Sequence, residues 1–230
     1  MIKKIMLSVF LLGLSCSSDE IISTEKASFY KIYKDIVIKK STTSQAEQIK
    51  KEKAYDKVWL SKFNQPIILL SSLDGKNTAT LVALGNYKNK LTWVSADGIS
   101  VTFLNGILIA TRGYSQDLME SQNNGLDTLF SKNTKKRLKK YRYLNSENQY
   151  RELSFICSVV AKKNTPSFFL DMKIETTKFT ETCKAGTTSH TNEYYVLPNT
   201  SIVLKSKQWI SEANGSMVIY NYYAFQNNLF

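Results

Sequence analysis

From residue 67 onward, apolar positions fall in short runs and alternations of strand type, punctuated by turn dipeptides; before residue 67 they follow a helical spacing. Strands are expected over 67–70, 79–87, 91–94, 99–104 and 107–111. They are separated by Asp74-Gly75, Lys88-Asn89-Lys90, Asp97-Gly98 and Asn105-Gly106. Asp-Gly and Asn-Gly supply the positive φ angles that tight hairpins need, so this stretch reads as an antiparallel meander. Residues 118–130 read as a helical turn and crossover. Strands resume over 153–161, 168–183, 194–197, 200–210 and 217–225, with turns at Ala185-Gly186 and Asn214-Gly215. So many strands at this spacing predict a mainly all-β protein: an antiparallel β-meander forming a barrel-like or sandwich-like sheet.

Ahead of the meander, Phe29, Ile32, Tyr33, Ile36 and Ile38 fall partly at helical spacing, as do Ala54, Tyr55, Val58 and Trp59. Pro66 forbids continuation of the second stretch. Short N-terminal helices after a flexible tether are the expectation. The start of the chain is of another kind. Lys3 and Lys4 precede a ten-residue apolar run, 5–14, then Ser15 and Cys16 followed by Ser17-Ser18-Asp19-Glu20. Ten apolar residues are too few to span a bilayer and have the length of a secretory signal core. A cysteine directly after such a core looks like a bacterial lipoprotein processing site, which would leave a diacylated Cys16 as the mature N-terminus. The alternative is an ordinary signal peptide with a cysteine there by chance. Ser17 resembles the residue found in lipoproteins sorted to the outer membrane, here on its periplasmic face. The division expected is a signal peptide at 1–15, tether and helices at 16–66, and one β domain at 67–230. With only three prolines and no low-complexity tract, the sequence offers no linker to a second domain.

Charge narrows the partners. Lys and Arg number 31 against 19 Asp and Glu, and Lys3 and Lys4 supply only 2 of the resulting +12. The basic excess argues for an anionic neighbour. Export argues against nucleic acid and for an anionic glycan, lipid phosphates or an acidic protein. Much of the charge is concentrated: Lys132, Lys135, Lys136, Arg137, Lys139, Lys140 and Arg142 put seven cations into eleven residues. With only Leu138 and Tyr141 apolar between them, this run reads as an exposed surface, either solvated or contacting an anionic partner. Cys157 and Cys183 remain once Cys16 is lipidated, an even pair in an oxidising compartment and so a disulfide candidate; two buried free thiols are the alternative. There is no Cys-x-x-Cys, and His190 is the only histidine, so no simple zinc site or cofactor motif is present.

Candidate chemistry is sparse. A Ser-His-Asp triad would have to use His190, which lies in a polar segment that reads as an exposed loop entering a strand. Asp74 and Asp97 precede glycine in tight turns, where aspartate serves the local backbone. Aromatic clusters at 194–195 and 220–225 could stack on sugars, but alternate aromatics in strands more often pack on one another.

One likeness remains. The blocks Thr80-Leu-Val-Ala-Leu-Gly85, Leu91-Thr-Trp-Val-Ser-Ala-Asp-Gly98, Asn105-Gly106 and Ala110-Thr-Arg-Gly113 with Asp117-Leu118 resemble the YjbF/GfcB lipoproteins encoded with exopolysaccharide and capsule secretion systems. Asn192-Glu-Tyr-Tyr-Val196 and Ser206-Lys-Gln208 resemble two later segments of that family, with Tyr195 in place of a tryptophan. The resemblance implies a periplasmic, membrane-tethered, non-catalytic β protein that assists polysaccharide assembly or export by docking on a secretion partner or binding glycan. It carries over no catalytic residues. Two rivals stand beside it. One is a lipid-binding carrier with an open apolar cavity; the other is a polysaccharide-acting enzyme with two facing carboxylates.

Overall fold

The computed structural model describes residues 60–123, 129–130, 136–144, 149–170 and 172–226. Cys16, Lys132, Lys135 and almost all of the expected N-terminal helices lie outside these residues. Twelve antiparallel strands form one sheet. They are β1 (Ile67–Ser72), β2 (Thr78–Tyr87), β3 (Lys90–Val94), β4 (Ser100–Leu104), β5 (Ile107–Arg112) and β6 (Leu118–Asn123). The second half holds β7 (Arg137–Leu144), β8 (Tyr150–Phe169), β9 (Met172–Ala185), β10 (Thr188–Val196), β11 (Val203–Ser211) and β12 (Gly215–Tyr220). A single helical turn, α1 (Tyr223–Gln226), follows.

The sheet order is β5-β4-β3-β2-β1-β12-β11-β10-β9-β8-β7-β6. Every pair of consecutive strands except β5 and β6 is therefore hydrogen-bonded, and the first strand pairs with the last: Leu69 lies opposite Tyr220 and Leu70 opposite Ile219. The two edge strands, β5 and β6, are consecutive in the chain and share no ladder, so the split in an almost closed barrel falls within one hairpin. α1 locks the paired termini, because Gln226 Oε1 accepts from the Ile67 N–H at 3.0 Å while its Nε2 donates to Gln65 O at 2.9 Å.

The hairpin signals act as expected, with one refinement. At Asn105-Gly106 both residues have positive φ, 51° and 79°, as do Lys88 and Asn89 at 50° and 62°. In the two Asp-Gly turns only the glycine does, and the aspartate carboxylate holds the loop instead. Asp97 accepts from Ser95 Oγ, and Asp74 accepts from the Lys76 N–H. The turn between β5 and β6 follows the same logic. Asp117 accepts from Thr111 Oγ1 at 3.0 Å and from the Gly113 and Tyr114 N–H groups at 3.0 and 3.1 Å. A side-chain carboxylate thus takes up donors that a missing ladder would leave unpaired.

Besides β7 and the first half of β10, three segments differ from the sequence expectation. Residues 118–123 form strand β6 rather than a helical turn, because Leu118 enters the core and Thr111 Oγ1 accepts its N–H at 2.9 Å. The last strand ends at Tyr220, where α1 takes over. The long hairpin turns after Phe169, and β8 runs unbroken through the stretch where a gap was expected. A register shift between Lys162 and Thr165 absorbs the irregularity.

The barrel is pinched rather than round. Gln208 of β11 reaches across the interior to the start of β5, accepting from the Leu108 N–H at 2.8 Å and donating to Gly106 O at 2.8 Å. A Cβ on Gly106 would lie 2.6 Å from Val203 Cγ2 and 2.9 Å from Val203 Cβ. Only glycine satisfies both the positive φ and this approach. Gly106→Ala is therefore expected to lower unfolding free energy by about 1–3 kcal/mol, measured by urea denaturation. Gly75→Ala has open space around it and meets only the φ strain, so it should cost less.

Candidate functional site

The inward face of β7, β9 and β10 carries a layer of charge. Glu181 is fully buried and holds two cations: Arg137 Nη2 lies 2.6 Å from Oε1 and Lys139 Nζ 3.1 Å from Oε2. Asn192 Nδ2 donates to Oε2 at 2.8 Å, and Tyr194 Oη donates to the same oxygen at 3.3 Å. The Lys139 ammonium also lies 5.1 Å from the centre of the Tyr141 ring. Asn192 does double duty, since its Oδ1 accepts the Trp209 backbone N–H at 2.7 Å and ties the charge layer to β11.

Beside this layer stands an aromatic stack. His190 lies flat on Trp209 with centroids 4.2 Å apart, and Tyr141 and Phe155 meet the pair edge-on. Tyr141 Oη sits 3.2 Å from His190 Nε2. Below it, Cys157 and Cys183 face each other across β8 and β9 with Cα atoms 4.0 Å apart, and their sulfurs are bonded.

Burial and charge set the protonation states. Burial alone would raise the Glu181 pKa, but the Lys139 and Arg137 charges outweigh it and hold the carboxyl at about 2, below its ordinary 4.5. Burial works against the Lys139 ammonium as well, yet Glu181 keeps its pKa above the ordinary 10.5. Burial, with the Lys139 charge second, lowers His190 from 6.5 to about 4. The layer is thus a fixed ion cluster around a neutral imidazole.

Two expectations are corrected here. Arg137 and Lys139 do not belong to an exposed contact surface. The run at 137–144 is a strand whose pleat sends Arg137, Lys139, Tyr141 and Tyr143 inward. Burial of an unpaired lysine would be prohibitive, but here Glu181 supplies the missing anion. Lys140 and Arg142 alternate outward and pair with Glu152 at 2.9 and 3.1 Å, Arg142 also with Glu120 at 2.9 Å; Lys136 is exposed. Nor is His190 a loop residue: it sits on β10 and is 8% exposed, with Tyr141 and Trp209 as its partners rather than a serine and an aspartate. The sequence signal that went unused was Glu181 itself, an acidic residue between threonines in a strand opposite an alternating Arg-Lys-Tyr-Tyr strand.

Cys157, Cys183 and Glu181 bring potential ligand atoms within 4.8 Å of one another. The sulfurs are spent in their mutual bond and the carboxylate on its cations, so this trio does not fit a metal. Asp74 and Asp97 each serve their own turn.

Comparison with known proteins now has a geometry to meet. The family model for group 4 capsule polysaccharide lipoprotein gfcB, YjbF, matches residues 35–220. The chain belongs to this family. The crystal structure of the hypothetical lipoprotein YmcC from Escherichia coli (K12) is similar, with a TM-score of 0.62 at 15% identity. That similarity covers 89% of this chain and 96% of the other, and it shows a shared fold. Comparison with curated protein sequences gives no significant match. The blocks that carry the YjbF likeness do architectural work in this chain. Trp93 is core, Ser95, Asp97 and Gly98 shape one turn, and Thr111, Gly113 and Asp117 shape another. Asn192 satisfies a backbone N–H of the neighbouring strand β11, and Gln208 one of β5 across the interior.

Two stability experiments follow. Glu181→Gln strands two buried cations and is expected to lose about 3–5 kcal/mol in urea denaturation. Replacing the trio together (Arg137→Met, Lys139→Met, Glu181→Leu) should lose much less than Glu181→Leu alone. The pH dependence has a definite sign, because both folded pKa values lie below the unfolded ones. The unfolded chain then binds more protons, and stability falls as pH falls. His190 contributes between about 6.5 and 4, and Glu181 between about 4.5 and 2. In a pH series of melting curves, His190→Gln should flatten the upper limb and leave the lower one.

Proposed function

We propose that this protein is a non-catalytic accessory lipoprotein of capsule or exopolysaccharide assembly and export. Cys16 would be acylated and hold the β body at the periplasmic face of the outer membrane, where it docks on a secretion partner or binds glycan. The supporting observation beyond family membership is the filled interior: the ion cluster and the aromatic stack occupy the space where a lipid carrier would keep an apolar cavity. Lipid carriage is accordingly the weaker reading. The same cluster ties up Glu181 without a facing second carboxylate, which counts against a glycosidase-like pair among the described residues. Lys136, Lys140 and Arg142 remain on the outside, and with Lys132 and Lys135 they are the residues through which an anionic glycan or acidic partner would be met.

Deletion of the gene should remove or reduce surface polysaccharide, and re-expression of the intact chain should restore it. Cys16→Ser should fold but move from the membrane to the soluble periplasmic fraction and restore less. If deletion leaves surface polysaccharide unchanged, the proposed role is wrong; if Cys16→Ser still sediments with membranes, the anchor is wrong.

A further inference from the structure

One end of the barrel carries a cleft of about 350 Å³ between the β2–β3 and β4–β5 turns and the segment around residues 201–206. Its lining is chemically uneven. Asn86 comes from the end of β2 and Asn89 from the turn after it, Asn105 from the other turn, and Asn221 from the chain just after β12; among apolar residues that include Ile68, Leu91 and Phe103 lie the buried Trp93 and the half-buried Tyr223. These two rings meet edge to face with centroids 5.9 Å apart. Among the described residues lining the cleft there is no carboxylate, and the one cation, Lys205, has its ammonium 4.9 Å from the centre of the Tyr220 ring.

Asn221 is anchored to β11. Its backbone N–H donates to Leu204 O at 2.8 Å, and its Nδ2 donates to Val203 O at 2.8 Å. Its Oδ1 is shielded from solvent, with no donor among the described residues. Asn89 and Asn105 sit in tight turns at φ 62° and 51°. Neutral amides that both donate and accept, around an apolar floor with Tyr223 at its edge, match a ligand with hydroxyls on its edge and a C–H face.

We infer that this cleft binds a neutral sugar unit of a polysaccharide, with the asparagine amides on its hydroxyls and the half-buried Tyr223 ring against its apolar face. The choice of a polysaccharide as the source of that sugar rests on the role proposed above; the recognition chemistry rests on the cleft. It assigns glycan contact to the barrel end rather than to the basic strand face.

The test is a titration of the ¹⁵N-labelled mature protein with maltotriose, cellotriose, chitotriose and oligosaccharides cut from the capsule of the producing strain, with tetraethylene glycol and octanoate as controls. At least one saccharide should give saturable shifts in the side-chain amide signals of Asn86, Asn89 and Asn105 and in the Trp93 indole N–H. Asn86→Ala with Asn89→Gly, which keeps the positive φ at 89, should weaken that binding at least fivefold at an unchanged melting temperature. No saturable shift with any saccharide overturns the proposal, as does a stronger response of the same signals to octanoate, or undiminished binding by the double variant. The outcome is separable from that of the gene deletion. Sugar-dependent shifts with unaltered surface polysaccharide would sink only the pathway role, and lost polysaccharide without shifts would sink only the cleft.

Discussion

Everything inside this barrel is arranged around the charge balance at Glu181. A carboxylate with no exposure cannot stay ionised alone, and a lysine with an exposure of 2% cannot either. Each is tolerable because the other is there, with Arg137, Asn192 and Tyr194 taking the remaining hydrogen-bonding capacity. The arrangement spans β7, β9 and β10, with β11 joined through Asn192, so strand register and side-chain charge specify each other. A one-residue slip of β7 would turn Arg137 and Lys139 outward and bring Leu138 and Lys140 in, leaving Glu181 unpaired. Such a cluster adds little to net stability over an apolar core of equal volume, but it penalises the wrong pairings heavily.

The second constraint is the split between β5 and β6. An open sheet edge presents unpaired N–H and C=O groups, and this fold handles them with side chains. Asp117 takes the donors of the turn, while Gln208 crosses the interior to serve Leu108 and Gly106. The crossing requires β5 to approach β11 closely, which is why Gly106 abuts Val203. Pinching the barrel there also shapes its end: Gly106, Val203 and Ser206 all line the cleft that Asn105 and Asn221 rim. The groups that close the barrel and the groups that form the cleft are therefore mechanically linked.

Most of the sheet was legible in the sequence because its information is local. Asp-Gly, Asn-Gly and the period-2 alternation mark hairpins without knowledge of any partner strand. What stayed hidden was non-local. Lys139 looks like surface charge until Glu181, 42 residues away, is placed opposite it. His190 looks like a loop residue until Trp209 and Tyr141 enclose it. β6 has too few apolar residues to announce a strand; Leu118 enters it through the Thr111 and Asp117 side chains. The cleft drew on the same kind of hidden proximity, since its asparagines come from three separated parts of the chain. Asn89 before lysine and Asn105 before glycine read simply as turn residues, and Asn86 and Asn221 lie in stretches that read as strands.

The family likeness and the cleft overlap in part, since Leu91, Trp93, Asn105, Gly106 and Ser206 belong to both. The recurring blocks that tie this chain to the capsule lipoproteins are, in this structure, turn formers, core rings and backbone bridges. They explain why the barrel persists, and Asn105, exposed at the β4–β5 turn, also lines the cleft. Other side chains placed to meet a partner lie on the outward half of β7, where Lys140 and Arg142 are already engaged with Glu152 and Glu120. Exposed ion pairs of this kind contribute little and are screened by salt, so swapping one such anion for a ligand's gains little. On the reading proposed above, recognition would sit at the end of the barrel, and the basic face would serve at most to draw an anionic chain toward it.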